Sequence, residues 1–202
     1  YTILEEPDIA TLADNAVLRP LISQDFVYPN GAQDSEAIAV DPQREEILVL
    51  SKRTKPPRPY RLPLSSFQTK EPEQQAIPNA PITASHVASL QGFAAPGLAE
   101  ADLYGGIWKY LGMPTGMSIA DDRLLVTTLE HAYLFDRNNL AKPPLRLPLP
   151  FAGQREAVTF AKGRSDQAYV SHERRQGLRS ADIYRITMAP ITANQPLSNE
   201  MP

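Results

Sequence analysis

Acidic residues stand at the start of two closely similar segments of the sequence. Asp34 and Glu36 open the first segment, and Glu156 opens the second in the position that corresponds to Glu36. Carboxylates that converge on one point suit a hard cation with oxygen ligands, calcium before magnesium. We therefore expect these three residues as metal ligands. Two alternatives stay open: each carboxylate pairs with Lys52 or Arg155 or accepts backbone amides, or a pair of them serves in acid–base chemistry.

A second group of residues is expected to bind a ligand beside these carboxylates. Lys52, His172 and Glu173 follow apolar runs that are typical of strands, and Arg155 precedes one. His172 is the histidine best placed for chemistry, although a merely hydrogen-bonded histidine is the alternative. The sequence contains no nucleophile elbow, phosphate loop, zinc-protease motif or dinucleotide fingerprint. No motif therefore names a catalytic residue.

The elements that must position these residues repeat along the chain. Residues 34–41, 114–121 and 154–161 each open with a polar cluster, alternate apolar and small residues, and end in a turn. Further strand-like runs follow each copy. Four antiparallel strands in each repeat is the composition of a β-propeller blade. The copies are not identical, because Gly116 stands where the other two have glutamate.

The repeats predict an incomplete ring. Third strands resemble one another through Tyr1, Tyr60, Tyr133 and Tyr184. If Tyr1 lies in a third strand, the chain holds about three and a half blades, and closed propellers need at least four. We therefore expect missing upstream blades, or a second chain, to complete the ring.

A single β-propeller domain is predicted over residues 1–190, followed by a proline- and asparagine-rich tail over 191–202. Residues 65–83 and 91–113 interrupt the repeat as long connections or insertions. Within the second of these, Trp108 and Tyr110 either line a pocket or simply pack on the domain. Asp41 falls in a turn, where aspartate is favoured for local reasons, and receives no function.

Composition narrows the class of protein. The chain has 202 residues and a formal net charge of −3, which argues against nucleic-acid binding. It has no cysteine, so disulfides and cysteine-based metal sites are excluded. The basic run over residues 52–58 is typical of a solvated loop. No apolar run reaches the length of a membrane span.

The repeats resemble a group of uncharacterised bacterial propeller proteins, mostly secreted. The resemblance lies in "DSEAIAVDPQREEILVLSKR", "TGMSIADDRLLVTTLEHAYLFDR" and "LPLPFAGQREAVTFAKG", and covers residues 34–64 and 112–187. It implies a propeller fold, upstream blades and an extracellular or periplasmic location. Lactonase-like, regucalcin-like and phytase-like propellers are distant relatives of that group, and several of them hold calcium on their axis.

Two functions compete at this point. The first is an exported binding or scaffold module with a cation on the central axis. The second is a metal-assisted hydrolase of lactonase or phosphoesterase type, with its site at the channel mouth. A hydrolase needs an open metal position and a base within hydrogen-bond reach. A scaffold would show carboxylates already neutralised by Lys52 and Arg155.

Overall fold

The computed structural model describes residues 2–3, 9–17, 22–67, 80–95, 97, 102, 105–149, 155–172 and 182–188. Tyr1, Glu173 and the tail over 191–202 lie outside these ranges. The strands, in chain order, are β1 (Thr2–Ile3), β2 (Ile22–Ser23), β3 (Phe26–Val27), β4 (Ser35–Asp41), β5 (Glu46–Ser51), β6 (Pro59–Pro63), β7 (Ile82–Thr83), β8 (Ser85–His86), β9 (Gly116–Ala120), β10 (Arg123–Thr127), β11 (His131–Asp136), β12 (Leu145–Pro148), β13 (Arg155–Phe160), β14 (Gln167–His172) and β15 (Ile183–Thr187). Short 3-10 helices span Ile9–Thr11, Leu64–Ser66 and Gly105–Tyr110.

Eleven of the strands form three antiparallel sheets that correspond to the three sequence repeats, and β1-β2 and β3-β7 form two separate strand pairs. Two of them have four strands, in the orders β4-β5-β6-β8 and β9-β10-β11-β12, and the third has the order β13-β14-β15. The first strand of each repeat lies at one edge of its sheet. In β4 the side chains alternate between exposed and buried, as a strand with one covered face requires.

The sheets pack face to face around a common axis. The edge strand β9 contacts both β4 and β13, so the three first strands lie side by side. Leu48 and Leu50 of the first sheet pack on Leu124 and Phe135 of the second. The opposite face of the second sheet presents Leu125 and its neighbours to the third sheet. Four-stranded blades whose inner strands converge while their faces pack in series form a β-propeller, and these blades make an incomplete one.

Close approach of two inner strands explains the glycine in the second repeat. A Cβ at Gly116 would lie 2.9 Å from Oγ1 of Thr127, 3.2 Å from the amide nitrogen of Val158 and 3.4 Å from Cα of Ala157. Those last two contacts are to the backbone of β13, which cannot move aside cheaply. The glycine therefore lets β9 and β13 pack against each other, where a glutamate side chain has no room.

The segment before the first blade differs from its sequence prediction. Apolar and polar residues alternate over residues 21–28, which predicts one half-buried strand, but in the structure β2 pairs with β1 and β3 pairs in parallel with β7. The buried Gln24 lies between them and its side-chain amide donates a hydrogen bond to the carbonyl of Ala80 at 3.0 Å. Because that hydrogen bond ties the segment to Ala80, the predicted strand divides into β2 and β3, which pair with different strands. Tyr28 then packs edge-on against Tyr60 of the first blade.

A buried ion-pair network fastens the first blade to the second at their turn ends. Nε of Arg137 lies 3.0 Å from Oδ2 of Asp41, and both side chains are only 2% exposed. The same guanidinium also pairs with Glu46. The backbone carbonyl of Arg137 accepts a hydrogen bond from the guanidinium of Arg44. The assignment of Asp41 to a turn alone is therefore incomplete, since its Oδ1 serves the turn while its Oδ2 joins two blades. We call Asp41, Glu46 and Arg137 the latch.

Candidate functional site

A cavity of about 300 Å³ opens where the inner strands of the three blades begin. We call it the axial cavity. It is lined by Glu36, Lys52, Arg53, Tyr110, Thr115, Leu129 and Glu156. Its volume equals the share of about ten water molecules in the liquid, which suits a small ligand. The cavity thus brings together residues from all three sequence repeats.

Backbone irregularities place both glutamates at this cavity. In β4 the pairing with β5 passes from Ser35 to Ala37, which leaves Glu36 as the extra residue of a bulge. In β13 the pairing with β14 passes in the same way from Arg155 to Ala157, which leaves Glu156 as the extra residue. A bulge bends its strand and redirects a side chain, and bulges are frequent beside functional sites. The two strands therefore present their carboxylates by the same device.

Cations of the same loop accompany the acidic residues of the first repeat. Nζ of Lys52 lies 2.5 Å from Oε2 of Glu36, and Arg53 pairs with Asp34. The backbone of Lys52 also donates a hydrogen bond to the carbonyl of Asp34 at 2.7 Å, which fixes the register of the loop. Two of the three expected metal ligands therefore have positively charged partners.

The loop over residues 52–58 exposes Arg53 and Lys55 to solvent, as expected from sequence, and hydrogen bonds fix its backbone. The amide of Ser51 donates to the carbonyl of Arg58 at 3.0 Å, and the amide of Arg58 donates to Oγ of Ser51 at 2.8 Å. The same hydroxyl contacts Oγ1 of Thr54, and Pro57 is buried. Ser51 thereby closes the loop, a structural role that periodicity cannot reveal.

The residues expected from the third repeat are placed differently. The buried guanidinium of Arg155 donates a hydrogen bond to the carbonyl of Leu129, so it supports the cavity wall from behind. His172 lies opposite Arg155 in the strand register and is buried. Its Nε2 accepts a hydrogen bond from the amide of Asp182 at 3.1 Å, and its ring stacks on Tyr184. The structure thus gives His172 a packing environment rather than a place in the cavity lining, and Glu173 lies outside the described residues.

An aromatic ring from the insertion over residues 91–113 reaches the axial cavity. The guanidinium of Arg53 lies 6.0 Å from the ring centre of Tyr110, and Nζ of Lys109 lies 5.1 Å from it. These are cation–π distances. Of the two aromatic residues considered from sequence, Tyr110 lines the cavity. Arg53 was missed as a lining residue because its contact partner lies 57 positions further along the chain.

The turn beside Leu129 carries a histidine whose titration is altered. Oγ1 of Thr128 accepts the amide of His131 at 3.2 Å, which closes the turn between β10 and β11. Burial lowers the pKa of His131 below 6.5, and the nearby charge of Arg146 lowers it further. At pH 7 the imidazole of His131 is therefore mainly neutral in the folded chain.

The calcium site expected on the axis stays a prediction. Calcium takes about six to eight oxygen ligands. Within the described ranges, no group of three or more histidine, aspartate or glutamate side chains lies close enough to hold a metal ion. Glu36 and Glu156 share the axial cavity, but Lys52 already contacts the first of them. A cation there would have to displace that ammonium group, so the described side chains do not by themselves form a calcium site.

Comparisons with known proteins give structural matches only. No protein-family model matches the sequence, and no curated protein matches it significantly. A luciferin-regenerating enzyme, itself a β-propeller, matches with a TM-score of 0.44 and 14% identity over 76% of this chain and 45% of its own. A nidogen/laminin complex, which includes a β-propeller, matches with a TM-score of 0.38 and 15% identity over 79% of this chain and 44% of its own.

The chain therefore spans less than half the length of either matched structure. At this level of similarity the fold assignment rests on the sheet geometry described above. The resemblance to secreted bacterial propellers is not tested by these matches and stays a prediction. Among the described residues, none forms a helix long and apolar enough to cross a membrane.

Proposed function

We propose that the protein is an exported β-propeller that acts as a binding or scaffold module and takes a small polar ligand in the axial cavity. The ion pair between Lys52 and Glu36 carries this proposal. A carboxylate held by an ammonium group at 2.5 Å is not free to serve as a base or as a metal ligand until the pair opens. Export rests on the resemblance to secreted propellers.

The lining of the axial cavity favours a ligand with groups of both signs. Glu156 and Glu36 supply negative charge, while Lys52 and Arg53 supply positive charge within the same 300 Å³ space. Tyr110 adds a flat apolar surface. A zwitterion, such as a dipeptide or an amino acid, can pair its ammonium group with a glutamate and its carboxylate with a cation. We propose this class of ligand.

A metal-assisted hydrolase is the second candidate, and one observation favours it. The two bulges present Glu36 and Glu156 from neighbouring sides of a single cavity. A pair of carboxylates arranged in this way can bind a divalent ion together or divide acid and base roles. In this candidate, ligand entry would release Glu36 from Lys52.

Turnover and binding assays together distinguish the two candidates. The protein is incubated with aliphatic lactones and with 4-nitrophenyl phosphate, with and without calcium chloride, and is titrated with glycylglycine by calorimetry. The binding proposal predicts no turnover above buffer and glycylglycine binding that weakens about tenfold in Glu156→Gln, through loss of a charged hydrogen bond. Asp166→Asn, an exposed turn residue, is the matched control.

Calcium-dependent turnover that disappears in Glu156→Gln would establish the hydrolase instead. Binding of glycylglycine that is equal in Glu156→Gln and wild type would remove the axial cavity as the site. Both outcomes are independent of the absolute affinity, because each compares the variant with its parent.

We also propose that further blades of the same protein cover the outer face of the first sheet. Ile38 and Val40 of β4 are 39% and 51% exposed, although they share a face with the buried Ile47 and Val49. Phe26 and Tyr28, which precede the first blade, already cover the part of that face near β6, where Tyr28 packs on Tyr60. Apolar blade faces are normally buried by the next repeat.

The native mass tests the proposal about further blades. Intact mass spectrometry of the protein from its source is expected to give a chain longer than 202 residues, and native mass spectrometry is expected to show that this chain is a monomer. Two copies of a chain near 22.3 kDa would show that a second chain closes the ring instead. A soluble monomer near 22.3 kDa would show that the face needs no cover.

A further inference from the structure

A second cavity of about 240 Å³ lies beside the axial cavity and has a different character. We call it the lysine pocket. Three lysines line it, namely Lys52, Lys55 and Lys109, and among the described residues of its lining none is acidic. Its walls are mainly apolar, with Leu90, Phe93 and Met113 among them. The pocket thus joins an apolar surface to unbalanced positive charge.

The apolar wall of the lysine pocket is held in place by the second blade. The ring of Phe93 lies 4.7 Å from the ring of Tyr133 and 5.8 Å from that of Phe135, both of which are fully buried. The amide of Ala94 donates a hydrogen bond to the hydroxyl of Tyr133 at 3.0 Å. Because these contacts fix the segment, a ligand would meet a wall that is already formed.

The opposite wall is equally fixed. The amide of Leu90 donates to the carbonyl of Pro57 at 2.9 Å, which ties the segment to the loop over residues 52–58. Gly92 has a φ of +85°, and a Cβ there would lie 2.6 Å from Cδ of Pro144. Only glycine therefore lets the chain turn past Pro144 toward Phe93. Two of the segments that line the pocket, residues 52–58 and 90–95, are therefore fixed to the first and second blades.

The lysines of the pocket differ in how much of their charge is engaged. Lys52 contacts Glu36 in the axial cavity. Lys109 lies over the ring of Tyr110, and no carboxylate among the described residues forms a salt bridge with it. Lys55 is exposed at the rim. Lys55 and Lys109 are therefore the groups that can bind an anion. Lys52 neutralises the charge of Glu36, so that carboxylate does not repel the anion.

We propose that the lysine pocket binds a small organic acid with an apolar body. The body would lie on Phe93 and Leu90, and the carboxylate would lie between Lys55 and Lys109. Burial of apolar surface supplies affinity, and the ammonium groups supply orientation. Because ammonium groups are point charges, the pocket selects for negative charge and a flat or short apolar body rather than for one particular acid.

The probe for this site is 3-phenylpropionate, titrated by calorimetry and followed by NMR shifts of backbone amides. We expect a dissociation constant of about 1 mM, which is ordinary for a ligand of this size. The largest shifts should fall on Phe93, Ala94 and Met113. The amide 3-phenylpropanamide keeps the apolar body without the charge, and acetate keeps the charge without the body. Both should bind at least about tenfold more weakly.

The variant Lys55→Gln/Lys109→Gln should bind the acid no better than wild type binds the amide. Both lysines are exposed, so the unfolding midpoint should not change. Lys142→Gln is the matched control, since Lys142 is exposed in the turn after β11 and should leave binding unchanged.

Equal binding of acid and amide, unchanged binding in the double variant, or no binding of the acid at all would each overturn the proposal. Loss of acid binding in Glu156→Gln would also overturn it, because it would place the acid in the axial cavity. Failure of glycylglycine to bind leaves this inference intact, since Lys55 and Lys109 line the lysine pocket and are not among the lining residues of the axial cavity.

Discussion

Acid–base pairs occur at both ends of the blades, but the two ends use them in opposite ways. At the turn ends, the latch buries Arg137 between Asp41 and Glu46, and it joins two blades. At the mouth, Lys52 and Glu36 pair at the edge of an open cavity, with the carboxylate side chain 42% exposed. A buried pair cannot lose one partner without leaving an unpaired charge out of water. A pair whose carboxylate is partly exposed, with the lysine side chain at 16%, can open and let solvent or a ligand contact that carboxylate.

The comparison separates residues that hold the blades from residues that can meet a ligand. Charge type alone does not make this distinction, because aspartate, glutamate and a basic partner are present at both ends. Burial and separation along the sequence distinguish the two ends. The latch pairs residues 96 and 91 positions apart, whereas Lys52 and Glu36 belong to one hairpin. Function is accordingly expected where the pairs are local and accessible.

The largest expected effect follows from breaking the latch. Arg137→Met removes the buried cation between Asp41 and Glu46 and leaves Asp41 only the longer contact with the partly exposed Arg44 at 3.9 Å, so the free energy of unfolding should fall by about 3–5 kcal/mol. Urea denaturation monitored by the fluorescence of Trp108 measures it. The matched control is Lys52→Gln at the mouth, which should change stability by less than about 1 kcal/mol. Equal losses in the two variants would mean that the two ends do not differ in the way described.

A smaller effect is expected from the glycine that lets two inner strands meet. Gly116→Ala places a Cβ 2.9 Å from Oγ1 of Thr127 and 3.2 Å from the backbone of Val158. Overpacking of this kind should lower the unfolding free energy by about 1–3 kcal/mol. Gly106→Ala is the matched control, because a Cβ there meets nothing within 4 Å. If both variants retain wild-type stability, β9 and β13 are further apart than the structure places them.

The smallest effect concerns the pH dependence of stability near the mouth. Burial lowers the pKa of His131 below 6.5, so the unfolded chain binds a proton more readily than the folded one. Its contribution to stability is therefore complete above about pH 6.5 and decreases as the pH falls below that value. His131→Gln should flatten the profile of melting temperature between about pH 7 and pH 5. An identical profile in the variant would contradict the assignment.

Much of the fold is predictable from the sequence because alternation along a strand is a local signal. The inner strands of all three repeats, and the shared location of Glu36 and Glu156, follow from the repeat alignment alone. The substitution of Gly116 for glutamate is visible in sequence, but its cause lies in the backbone of β13. The close packing of β9 against β13 requires the glycine, and the periodicity of the sequence carries no information about the distance between these two strands.

The parts of the site that sequence missed are contacts made by residues outside the strands. Phe93 contacts Tyr133, which lies 40 positions further along the chain, and Tyr110 of the axial cavity contacts Arg53, 57 positions before it. Loops have no period from which such neighbours can be inferred. The repeat predicts His172 at the mouth end of β14, where it pairs with Arg155 in the strand register, but the stacking of its ring on Tyr184 does not follow from the repeat.

Lysine footprinting tests the central claim most directly, namely that the carboxylate of Glu36 at the mouth is held by the protein's own Lys52. Wild type and Glu36→Gln are treated briefly with an acetylating reagent, and the modification of each lysine is quantified by mass spectrometry. Lys52 should react more slowly than the exposed Lys142 in wild type and faster in Glu36→Gln, because the ion pair shields its ammonium group. Equal reactivity of Lys52 in the two proteins would contradict the account.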